Sequence, residues 1–190
     1  MVPDRISSYW VLIEPLFSSI DMGSGPQEFS DSISLIPRPN VLLFAAHMCL
    51  AEVHNGGFLQ LFWNSTGVLV PQAEEGFRVI GMPRMADIVE KAAHLLGSPY
   101  PRDREGRWDA LLEASGRKPR EMKRIFKKQE NLYLAFAEAT SSLPLNNLDN
   151  QFWENAMTEN GGFQDAATRY AQTVHLVVEC QQVVPIQACP

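Results

Sequence analysis

Ala51-Glu52-Val53-His54-Asn55-Gly56-Gly57-Phe58-Leu59-Gln60-Leu61-Phe62-Trp63-Asn64-Ser65-Thr66-Gly67 is the stretch whose reading decides the fold. A nearly all-apolar run arrives at a lone carboxylate, breaks at Asn-Gly-Gly, restarts on aromatics and stops at Asn-Ser-Thr-Gly. Glycine and asparagine adopt positive φ cheaply, so they punctuate a helix where the chain must turn. The pattern predicts a helix over 40–54, a break, and a short helix over 58–64.

Helix 40–54 carries Leu42, Leu43, Ala46, Cys49, Leu50 and Val53 on one side and Phe44, Ala45, Met48 and Ala51 on the other. A helix apolar all round is a buried one. Only His47, Glu52 and His54 interrupt it. A carboxylate among Ala45, Met48 and Cys49 needs partners, since an unpaired buried charge costs several kcal/mol or is neutralised. The expected donors are the backbone amides freed at Asn55-Gly56-Gly57, or an arginine from a packed helix.

Working outward, proline and glycine stops divide the rest into helices, with few strand-like alternations. They are expected over about 5–20 (Asp4 as N-cap, Pro15 as a kink), 27–35, 71–80, 84–96, 103–114, 119–140, 147–157 and 162–180. The fold class is therefore all-α, an irregular bundle of about eight to ten helices around a buried central one. Residues 1–39 read as a helical extension packed on the domain, 40–180 as the domain, and 181–190 as a flexible tail. A second Asn-Gly-Gly-Phe at 160–163 is similar only over a few residues, which favours helix punctuation over an internal duplication.

Length and composition fit one globular domain: 190 residues, 45% apolar, 20% charged. No apolar run reaches spanning length, and residues 1–20 lack a signal peptide's pattern, so no membrane role is expected. Cys49, Cys180 and Cys189 form neither a disulfide framework nor a CxxC pair, which points to the cytoplasm. The net charge of −6 conceals an asymmetry. Segment 102–128 holds ten cations and five anions, a local +5, which leaves −11 on the remainder.

Chemistry is hard to find. His47, Cys49, Glu52 and His54 could ligate a metal, but no HExxH or His-x3-His spacing exists, and His94 and His175 stand alone. Nucleophile elbows and glycine-rich phosphate loops are missing as well, so no cofactor is expected. An enzyme using Glu52 with His47 or His54 is the remaining catalytic alternative, and a structural Glu52 outweighs it. Arg120, Lys123, Arg124, Lys127 and Lys128 fall on one face of helix 119–140, opposite Met122, Ile125, Phe126, Leu132 and Phe136. That face could meet phosphates, yet the net negative charge and the lack of interleaved aromatics disfavour direct nucleic-acid binding. Glu74, Glu75, Asp87 and Glu90 on consecutive helices, and Asp149, Glu154, Glu159 and Asp165 near the C-terminus, form the acidic counterpart.

Glu52-Val53-His54-Asn55-Gly56-Gly57-Phe58 with Phe62-Trp63-Asn64-Ser65-Thr66-Gly67 resembles the signature of the bacterial DNA-mimic protein family. Val79-Ile80-Gly81, the alanine-rich 85–92 and Leu148-Asp149-Asn150-Gln151-Phe152 extend the likeness over about 40–175. The resemblance implies an all-helical acidic protein, dimeric in its named member, that occupies the DNA-binding surface of a transcriptional repressor. Glu52, Asn55, Gly56, Gly57, Phe58 and Asn64 then read as architecture, and the binding residues as Glu74, Glu75, Asp87 and Glu90. The expected protein is non-enzymatic, its partner a protein with a basic surface such as a transcription regulator, with a homodimer compatible. An immunity protein that neutralises a bacterial toxin or nuclease is an alternative by the same electrostatics.

Overall fold

The computed structural model describes residues 8–182, with side chains over 8–174. Asp4, Cys189 and residues 183–190 of the expected tail, and the side chains of His175 and Cys180, lie outside the described residues. Among the described residues there are ten α-helices, three 3₁₀ segments and no strand, so the fold is all-α.

The expected first helix is a short α1 (Trp10–Ile13) followed by a 3₁₀ turn over Glu14–Ser18, with Pro15 in the turn's first positions. Helix α2 spans Pro26–Ile33. Helix α3 (Arg38–Trp63) is the centre, burying Val41 to Ala46, Cys49, Val53, Phe58, Leu61 and Phe62. The two helices expected at 40–54 and 58–64 are the arms of this one element, bent at Gly56 and Gly57. Gly57 is required there twice over. Its φ is 74°, and a Cβ would stand 2.5 Å from the Asp149 carboxylate.

A 3₁₀ turn over Ser65–Leu69 leads into α4 (Val70–Val79), whose second residue Pro71 suits a helix start. Helix α4 packs tightly on α3: a Cβ at Gly76 would lie 2.3 Å from the Leu42 carbonyl oxygen. Helix α5 (Pro83–His94) follows, then α6 (Arg104–Ala114), capped by the Asp103 side chain, which accepts from the Gly106 amide at 2.7 Å.

The helix expected over 119–140 is two. Helix α7 is Pro119–Lys128 and α8 is Leu132–Ala139, with Gln129 extended between them and the Asn131 side chain capping α8 through the Leu134 amide at 3.1 Å. The reversal lets Ile125 of α7 meet Ala135 and Ala139 of α8 in a small core of their own. Leu132 and Phe136 therefore do not extend the α7 apolar face: Leu132 is exposed, and Phe136 packs edge-on to Trp63.

Helix α9 (Leu145–Thr158) brings Phe152 edge-on to Phe58 and Phe77. A 3₁₀ turn at Glu159–Gly161 then opens α10 (Phe163–Gln182). The two Asn-Gly-Gly-Phe copies differ in backbone. Asn160, Gly161 and Gly162 all have positive φ, whereas in the first copy only Gly57 does. One main core joins Tyr9, Ile13 and Phe29 to the α3, α4, α5 and α9 side chains.

Candidate functional site

The bend in α3 folds the second arm's polar residues back toward the first. Half-buried Glu52 accepts from Gln60 Nε2 at 2.8 Å, Asn64 Nδ2 at 2.9 Å and Thr66 Oγ1 at 2.6 Å. These side chains replace the expected backbone amides and arginine. The freed amide has another acceptor, since Phe58 N donates to Asp149 Oδ1 at 2.7 Å. Asp149 reaches that amide only where glycine leaves room, which is why Gly57 and Asp149 belong to one device. Burial pushes the Asp149 carboxyl up, and the Phe58 amide opposes that. A depression of about 190 Å³ beside the corner includes Gly56, Leu59, Thr140 and Asp149, and Asp149 is its sole ionisable side chain.

Glu52 does not join the histidines. At about 100° per residue, His47 and His54 leave α3 about 140° and 160° away from Glu52. His47 Nδ1 lies 2.9 Å from the Tyr9 hydroxyl, while His54 stacks on Trp153 with centroids 3.7 Å apart. Burial lowers the pKa of both. The Cys49 thiol is pushed up by burial and by Glu52, away from the reactive thiolate. Among the described residues no group of three His, Cys, Asp or Glu side chains is placed to hold a metal ion.

The arginine expected at the corner acts one turn further on. Arg107 is 1% exposed and donates to three carbonyls: Phe62 (Nε, 3.1 Å), Asn64 (Nη2, 2.7 Å) and Arg102. Arg104 Nε and Trp108 Nε1 both reach the Trp63 carbonyl, at 2.9 and 3.2 Å. A helix ends in carbonyls without partners and a partial negative charge, which a cation satisfies. The end of α3 is thus capped from α6. Arg102 donates to Val68 O and Gln72, and Arg117 to the Ala139 and Glu138 carbonyls that end α8. Four cations of segment 102–128 therefore bond to carbonyls. Sequence reasoning missed them. The available signal was residue type, because the cations of 102–117 are all arginine, the side chain whose planar fork matches several acceptors.

The predicted acidic residues are brought together, with arginines among them. Arg78 lies 3.3 Å from Glu74, 3.0 Å from Asp87 and 3.0 Å from Glu90, while Glu75 pairs with Arg38. Four carboxylates and two guanidinium groups leave this patch at −2. Two of the C-terminal acids are engaged as caps. Asp149 holds the Phe58 amide, and Glu159 accepts from the Arg84 and Met85 amides that start α5, at 2.9 and 3.0 Å.

The family described as DMP19-like protein matches residues 34–174. The chain belongs to that family. The matched span contains the α3 bend, its cap, the Arg78 cluster and the α7–α8 hairpin, and it begins after α2. No curated protein and no solved structure matches. In this DMP19-like domain Gly56, Gly57, Phe58 and Asn64 make the bend and its bonds, while Asn55 stands exposed at the corner. Arg120, Lys123, Arg124, Lys127 and Lys128 are all exposed on α7, and among the described residues their sole ion pair is Lys128 with Glu138 at 4.0 Å. No described helix is long and apolar enough to cross a membrane.

Proposed function

We propose that this protein works by binding another protein, laying the carboxylates of α4 and α5 against the nucleic-acid-binding surface of a basic partner such as a transcription regulator. Membership of the DMP19-like family supports a protein partner and a DNA-mimic role. The observation that carries the reading to particular residues is the convergence of Glu74, Asp87 and Glu90 on Arg78. A shared guanidinium gathers three partly exposed carboxylates in one place, which reduces the side-chain freedom left to lose on binding. It also reduces their field, so the attraction of a basic partner draws on the −11 carried outside segment 102–128 as well.

The test combines Glu74→Gln, Glu75→Gln, Asp87→Asn and Glu90→Gln, compares capture of proteins from the native cell with that of the parent chain, and measures association with the captured partner. The expected association rate falls by about tenfold or more, with a shallower salt dependence. Equal capture and an equal rate in the folded variant would remove these residues from the interface.

A further inference from the structure

We infer that the outer face of α7 is a docking site for nucleic-acid phosphates, independent of the acidic cluster and of the reading placed on it. Arg120, Lys123, Arg124, Lys127 and Lys128 project from one side of a ten-residue helix, all exposed. At 1.5 Å per residue they form three rows, the second about 5 Å and the third about 11 Å along the axis from the first. One strand of duplex presents about three phosphates over that length, at about 3.4 Å of axis each. With Glu121 the only carboxylate on α7, the helix keeps a local charge of +4, and among the described residues Glu121 makes no ion pair with the five cations. Among the described residues Lys128 alone has a carboxylate, at 4.0 Å.

Three kinds of anionic partner could meet such a face, and the structure separates them. A membrane would need the apolar side of the helix, but Ile125 is buried against α8, with Met122 and Phe126 packed around it. An acidic protein is the weaker match, since protein interface centres are depleted in lysine and commonly anchored on aromatic and aliphatic contacts. The exposed residues of α7 are Pro119, Arg120, Glu121, Lys123, Arg124, Lys127 and Lys128, none of them a large apolar side chain. Phosphates need no such anchor, because the favourable term is release of their condensed counterions. The net charge of −6 opposes this less than its size suggests. At physiological salt a charge more than about 8 Å away is largely screened, so the local comb dominates.

The experiment titrates the full chain into a fluorescent 20-base-pair duplex from 50 mM salt upward. Five phosphate contacts, about three on the facing strand and two on its complement, predict a log–log salt slope of about −4.5, or about 20-fold weaker binding per doubling of salt. Lys123→Gln, Arg124→Gln and Lys127→Gln together leave two contacts, a slope of about −1.8 and a loss of about 3.5-fold per doubling. Arg84→Gln with Lys91→Gln, exposed cations on α5, is expected to match the parent chain. Circular dichroism confirms that both variants stay folded. The proposal is overturned by no binding at 50 mM salt, by equal affinity of the α7 variant and the parent, or by an equal loss in the α5 variant. Polyglutamate of matched charge competing as well as duplex would assign the face to an acidic protein. Binding to phosphatidylserine vesicles without binding to duplex would assign it to a membrane. Either result overturns the nucleic-acid assignment.

Discussion

Replacing Arg107 with methionine keeps most of the side chain's volume and removes its donors. Three carbonyls, those of Phe62, Asn64 and Arg102, then lose a charged partner inside the protein. A hydrogen bond from a charged group contributes about 1.5–3 kcal/mol net of dehydration. The three share one guanidinium, so their contributions overlap and fall short of a simple sum. The expected loss is about 4 kcal/mol, which for a domain of this size lowers the melting temperature by about 8–16 °C. Arg107→Lys separates charge from shape. An ammonium retains the attraction to the negative end of α3 but cannot bridge three acceptors in different directions, so more than half the loss should remain. Arg104→Met, which removes one carbonyl bond and a contact with the Trp108 ring from an exposed side chain, should lose about 1 kcal/mol. Urea unfolding with an unchanged slope is the assay. An Arg107→Met variant within about 1 kcal/mol of the parent would refute the cap as a main support of α3. Full rescue by lysine would show that charge suffices and the fork does not matter.

Gly76→Ala places a methyl 2.3 Å from the Leu42 carbonyl oxygen and should force α4 away from α3, with a loss of about 1–3 kcal/mol in urea unfolding; an unchanged midpoint would mean the two helices separate without cost. The raised pKa of Asp149 gives a signed pH effect. A carboxyl whose folded pKa exceeds the unfolded value of about 3.9 adds stability below that value, and the addition is lost as pH rises through the folded pKa. Asp149→Asn keeps an acceptor for the Phe58 amide without the buried charge, so its urea midpoint at pH 7 should equal or exceed the parent's, the difference closing toward pH 4. A lower midpoint at pH 7 would show that the ionised carboxylate is the stabilising form.

The helices were legible because their signals are local. Pro71 and Pro83 opened α4 and α5, and the Gly56–Gly57 break fell where the sequence placed it. The division between α7 and α8 was missed because the helical periodicity of Ile125, Phe126, Leu132 and Phe136 runs through it. The stop depends on a tertiary contact of Ile125 with Ala135 and Ala139, together with an Asn131 cap that propensity could have flagged. Glu52 was legible as a carboxylate in need of donors. Which donors was not, because Gln60, Asn64 and Thr66 reach it only after the bend sets the angle between the two arms.

Formal charge alone does not show where this chain's ions act, because the fold ties many of them to its own helix ends and bends. Arg102, Arg104, Arg107 and Arg117 bond to carbonyls, Asp103, Asp149 and Glu159 hold backbone amides, and Glu52 closes the corner. Except for Glu52, whose donors are side chains, each meets the backbone where a helix or turn begins, ends or bends, positions at which the backbone itself carries partial charge. These are four cations and four carboxylates, so the net charge is the same without them, and five of the remaining exposed cations gather on α7 while three of the predicted acids gather around Arg78. The two faces then differ in kind. The acidic one is interleaved with two guanidinium groups of its own, so its carboxylates are gathered and its field reduced, which suits recognition by shape. The basic one has a single long ion pair and flexible arms, which suits a polyanion read without regard to sequence. A partner that binds nucleic acid while presenting a basic surface of its own would meet both requirements in one complex.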